Sequence, residues 1–92
     1  MTHPETMEAR IRRAVGEYAG LRVDVRKLSE ADDLYAAGMT SHASVEVMLA
    51  LENDFDVEFP DRLFNRSVFE SISSLKAALD ELTGDSTVVG AQ

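Results

Sequence analysis

Three observations place this chain in the all-α class. Apolar residues recur every three or four positions in three separate stretches, helix-starting residues stand where those stretches begin, and no alternating run is long enough to build a sheet. Together they predict a small four-helix bundle: three main helices, a short third one, and a long loop between helices one and two. A chain of 92 residues supports one such domain and little more. The domain is expected over residues 1–83, with 84–92 as a flexible C-terminal tail.

Helix one is expected over about residues 4–19. Pro4 suits a first helical position, where a missing N–H costs nothing. Met7, Ile11, Ala14, Val15 and Tyr18 follow at helical spacing, and Gly20 lies just past the end. From Leu21 to Met39 the pattern breaks. "LRVDV" alternates like a strand but is too short to form a sheet alone, and "LSEADDLYAAG" holds a single helical turn with Ser29 available as its cap. A connection of this length in a small domain is expected to pack across the bundle or to serve function.

Helix two runs from Ser41 to Asp54 or Phe55. Ser44, Val47, Met48, Leu51 and Phe55 form its inner stripe, while Val45 and Leu49 share another face with Glu46 and Glu52 nearby. Pro60 restricts Phe59 and restarts the chain, so "PDRLFN" reads as the short third helix, with Leu63 and Phe64 turned inward. Ser71 caps the fourth, in which Ile72, Leu75, Leu79 and Leu82 recur, and Gly84 closes it.

The formal net charge of −8 is unevenly placed. Nine acids and no Lys or Arg lie between Leu28 and Asp61, against eight acids and nine bases in the rest of the chain. Nucleic acid, which needs clustered bases, is excluded as a partner, and an anionic membrane surface would repel this stretch. No apolar run approaches the roughly 18 residues of a membrane span, and "MTHPETMEARIRR" lacks the apolar core of a secretory signal. A cytoplasmic monomer is expected. The acidic stretch either solvates one face or steers toward basic partner surfaces.

Catalytic chemistry finds no footing. With two histidines and no cysteine, a metal site is not expected. Asp54, Asp56 and Glu58 alternate as in a calcium loop, but the sixth and twelfth positions hold Phe59 and Asn65 where glycine and glutamate are required. Ser41 and His42 are sequence neighbours, and neighbours on a helix do not face each other. No third residue orients the histidine, so the chain is read as a non-enzyme.

What remains is the cluster of hydroxyls in "GMTSHASVE". If Thr40 is the N-cap, its side chain accepts the N–H of His42 or Ala43, and Ser41 becomes the first helical residue with no capping task. Its hydroxyl is then either a second structural serine or a group to be modified at the positive end of the helix.

The stretch "DLYAAGMTSHASVEVMLALENDFDVEFPD" resembles the acyl carrier protein family, in which a helix-initiating serine receives 4′-phosphopantetheine. The likeness extends to a first helix, a long loop, a glycine before the serine, "ALENDF" and the closing "FESISSL". It implies that Ser41 bears the arm covalently, with Thr40 as cap and His42 beside it. It implies the same for partners: a phosphopantetheinyl transferase, a ligase that loads the cargo, and a downstream acceptor enzyme. The residues themselves suggest their contact surface: Val45 and Leu49, apolar four positions apart and rimmed by Glu46 and Glu52, unless that pair is instead partly buried against the long loop. The family usually has aspartate and leucine around this serine, where Thr40 and His42 stand here. These departures point away from housekeeping fatty-acid machinery and toward a dedicated partner set. The pattern is similar to stand-alone aminoacyl carrier proteins, so a small amino acid held as a thioester is the expected cargo. The alternatives are a fatty-acyl or polyketide-type cargo, or a cofactor-free acidic helical module.

Overall fold

The computed structural model describes residues 6–83. Four helices occupy them: α1 (Met7–Tyr18), α2 (Ser41–Phe55), α3 (Arg66–Phe69) and α4 (Ile72–Leu82). There is no strand among the described residues, and no helix is long and apolar enough to cross a membrane. The Pro4 start, the closing Gly84 and the tail at 84–92 lie outside the described residues.

Helix α1 begins later than the proline suggests. Thr6 is extended and its side chain accepts the N–H of Ala9, which fixes Met7 as the first helical residue. The helix buries Ile11, Ala14 and Val15 and packs against both α2 and α4. Facing it, α2 contributes Val47 and Leu51, and α4 contributes Ile72, Leu75, Ala78 and Leu79. Arg10 fastens the far end of α2: its Nε lies 3.0 Å from an Asp54 carboxylate oxygen, its Nη2 donates to the Asp54 carbonyl, and its guanidinium stacks on Phe55. Ser71 and Ser74 form a reciprocal capping box that starts α4 as expected.

The stretch read as the short third helix, "PDRLFN", forms no α-helix, and the short helix lies just beyond it. Asp61–Leu63 is a single 3-10 turn, and a separate one-turn helix, α3, follows with Asn65 as its cap. Leu63 is buried, but Phe64 is 40% exposed and meets Phe69 of the core edge-to-face. The break falls there because Asn65 turns extended to cap α3, and this carries the preceding ring outward.

The long connection is tied down rather than loose. The strand-like "LRVDV" leads into a 3-10 turn, Val25–Lys27, capped by Asp24, whose carboxyl Arg26 holds down at about 2. Arg12 of α1 donates to the carbonyls of Val25 and Leu28. Ser29 caps a first turn, its Oγ accepting the Ala31 N–H at 3.3 Å, and Asp33 caps a second one around Tyr35, accepting the N–H groups of Tyr35 and Ala36. Leu34 is fully buried, its N–H donates to the Glu70 carbonyl, and its carbonyl accepts Met39. Ser73 N–H donates to the Glu30 carbonyl, so the loop is stitched to the α3–α4 junction twice.

The loop returns to α1 at Gly38. The Arg22 N–H donates to the Ala37 carbonyl at 2.9 Å, and Gly38 has φ +125°. A Cβ at that position would lie 3.0 Å from the Arg22 nitrogen. Both the dihedral and the close approach require glycine. Gly38→Ala is expected to destabilise the fold by about 1–3 kcal/mol, the usual cost of forced backbone strain. Urea unfolding followed by circular dichroism measures this.

Candidate functional site

The entry to α2 behaves as its sequence indicates. Thr40 is extended, and its Oγ1 accepts the Ala43 N–H at 3.0 Å. Ser41 is therefore the first helical residue and is exposed. Its hydroxyl makes no hydrogen bond to a described residue, and the amides of Ser41 and His42 are likewise unused. A free hydroxyl, two free N–H groups and the positive helix end converge at one point.

The neighbouring hydroxyl is disposed in the opposite way. Ser44 is buried and its Oγ donates to the Ser41 carbonyl at 2.6 Å. Back-bonding of this kind satisfies the hydroxyl and withdraws it from chemistry.

Beside Ser41 lies a cleft of about 360 Å³, lined by Tyr35, Ser41, Ser44, Val45, Phe64, Asn65 and Arg66. Val45 is half-buried and borders this cleft, so it is not on a fully outer face with Leu49. Leu49 is 55% exposed. Glu46 is exposed, with a carboxylate oxygen 3.5 Å from His42 Nε2, one helical turn back. Glu52, expected beside them as a contact residue, is half-buried and accepts the Phe59 N–H at 2.8 Å. Its carboxylate is engaged in holding the chain that leaves α2, and the left-handed Asp56 completes that turn.

Tyr35 and Arg66 were not singled out by the sequence pattern. Each is one polar-tipped side chain in a segment without helical periodicity, and only the folding of the loop against α3 brings them together, with the Arg66 guanidinium 4.1 Å above the Tyr35 ring. No group of three or more metal-ligating side chains is found among the described residues.

Residues 9–82 match the model of the phosphopantetheine attachment site family. The chain belongs to that family. The aminoacyl carrier protein of Agrobacterium fabrum is 44% identical over 70 residues, which is 76% of this chain and 84% of that protein. Two solved structures hold a carrier protein from Agrobacterium tumefaciens complexed with an engineered glycine:[carrier protein] ligase from Bradyrhizobium japonicum. The complex with ATP gives a TM-score of 0.80 at 40% identity, covering 84% of this chain and 100% of that one. The complex with AMP gives 0.78 at 42% identity, covering 80% and 99%.

The residues present fit the family's group. Ser41 offers an exposed, unshared hydroxyl, unused amides surround it, and the cleft gives an attached chain a place to lie. When bound, 4′-phosphopantetheine supplies a thiol that this cysteine-free chain lacks.

Thr40 carries the geometry of this entrance. Thr40→Ala is expected to cost about 1 kcal/mol of stability by loss of the cap, and Thr40→Asp to recover it. Denaturant midpoints of the three proteins check this.

Proposed function

We propose that this chain is a non-catalytic carrier of a small amino acid, held as a thioester on a 4′-phosphopantetheine arm attached to Ser41. The observation that carries the attachment site is the contrast between two serines on one helix turn: Ser41 is exposed and unbonded, while Ser44 is buried and back-bonded. The amino acid follows from the relatives, one an aminoacyl carrier protein and others seen with a glycine:[carrier protein] ligase.

The partners would be a phosphopantetheinyl transferase, an amino acid ligase that loads the arm, and an acceptor enzyme that removes the cargo. Tethering raises the local cargo concentration at a docked enzyme into about the millimolar range. For this purpose the carrier needs an address rather than a reaction site. We place the address on α2, where Leu49 projects and Glu46 provides charge next to His42. Val45 extends this patch toward the cleft, and Glu52 contributes charge at its far end while anchoring Phe59. A monomer acting in the cytoplasm suits a protein that must meet separate enzymes in turn.

Co-expression with a phosphopantetheinyl transferase should raise the intact mass by one arm. Protein isolated from its native host, treated with hydroxylamine, should release an amino acid hydroxamate identified by mass spectrometry. Long-chain acyl hydroxamates as the main product would overturn the cargo assignment. Glu46→Lys should slow loading several-fold and remove much of its salt dependence, whereas Leu49→Ala should raise the dissociation rate of the loading enzyme. Unchanged kinetics in both variants would move the docking surface off α2.

A further inference from the structure

The acidic middle of the chain ends at Asp61, and the next bases are Arg62 and Arg66. Arg62 is paired with Glu81. Arg66 makes no ion pair among the described residues; its guanidinium lies over the Tyr35 ring. It is also the one charged side chain among those lining the cleft beside Ser41.

The base of this side chain is firmly held. Asn65 accepts the Val68 N–H at 3.0 Å and the Ser67 hydroxyl at 2.8 Å, and its Nδ2 donates to the Arg62 carbonyl at 2.8 Å. Arg66 is therefore fixed as the first residue of α3, on the wall of the cleft. The guanidinium lies over the Tyr35 ring and donates no hydrogen bond to a described residue, so its N–H groups are available to an anion.

A phosphodiester on Ser41 keeps a negative charge at neutral pH. It would sit in the stretch that carries nine acids and no base, five residues before Glu46. The free amides and the dipole of α2 offset part of that repulsion. We infer that Arg66 provides the rest: its guanidinium binds the phosphodiester at Ser41 across the cleft and so directs the arm along the cleft, past Val45 and Phe64. An arginine edge is well matched to phosphate oxygens. It is poorly matched to the free ammonium of a thioester-linked amino acid, which it would repel. Arg66 is thus a positioning residue for the near end of the arm, not a reader of cargo. This inference rests on the reading that Ser41 bears the arm.

The test compares apo and holo protein, prepared with a phosphopantetheinyl transferase and coenzyme A and verified by intact mass. Absence of a mass gain overturns the Ser41 reading and this inference with it. Given the mass gain, the Arg66 Nε–Hε cross-peak, assigned by its loss in Arg66→Lys, should move between apo and holo wild-type protein. The phosphorus resonance of holo Arg66→Gln should differ from that of the wild type, with holo Arg66→Lys falling between them. About 0.5 M NaCl, which screens exposed pairs, should move the wild-type resonance toward that of Arg66→Gln. Arg66 is exposed and α3 is capped by Asn65, so the amide spectra of the apo variants should match the wild type outside α3 and the turn around Tyr35 that the guanidinium covers. An unmoved Nε–Hε peak, or a phosphorus resonance that is the same in wild type and Arg66→Gln, would overturn the inference.

Discussion

The contact between Gly38 and the backbone at Arg22 is the constraint on which the site depends. The loop must come back against the exit of α1 before α2 begins, and it does so with a positive φ and no room for a side chain. Two residues later Thr40 turns extended and caps α2. The position of Ser41 is thus set by a chain of backbone events: the Arg22–Ala37 hydrogen bond, the glycine turn, then the cap. The buried Leu34 anchors the same loop from the other side by bonding to Glu70 at the α3–α4 junction. A surface hydroxyl is held in place by burial and hydrogen bonding some distance away.

This arrangement separates two tasks that a small domain could easily confuse. Stability rests with α1, which packs against α2 and α4 and is fastened by Arg10 and Arg12 to the end of α2 and to the loop. On the proposed reading, presentation rests with the start of α2, where Ser41 and His42 are exposed and Ser44 and Val45 border a cleft. Ser44 belongs to the first task and Ser41 to the second, although they are three residues apart. On the proposed reading, partners acting at the exposed end of α2 would not need to loosen the core.

Much of this was legible in the amino-acid pattern. The bounds of α2, the Thr40 cap, the inward Ser44 and the Ser71 start of α4 all follow from side chains that act within one turn of themselves. What was not legible depended on distant neighbours. Thr6 and Pro4 both suit a helix start, and only the Ala9 hydrogen bond decides for Thr6. Phe64 was expected inside because it is apolar, yet Asn65 caps a separate turn and turns it out. Glu52 was expected as a contact residue, and the fold adds a second task that the pattern did not show, since its carboxylate also holds the returning chain at Phe59. The cleft formed by Tyr35, Val45, Phe64 and Arg66 joins three segments that share no common period.

The central claim is that one particular hydroxyl, freed by its neighbour's cap, is the attachment point. The most direct measurement is fragmentation mass spectrometry of a proteolytic peptide spanning residues 38–52, taken from protein modified by a phosphopantetheinyl transferase. The account predicts fragment ions that place the whole added mass on Ser41 and none on Thr40 or Ser44. An adduct on Ser44 or Thr40, or an unmodified peptide from protein whose mass has increased, would contradict it.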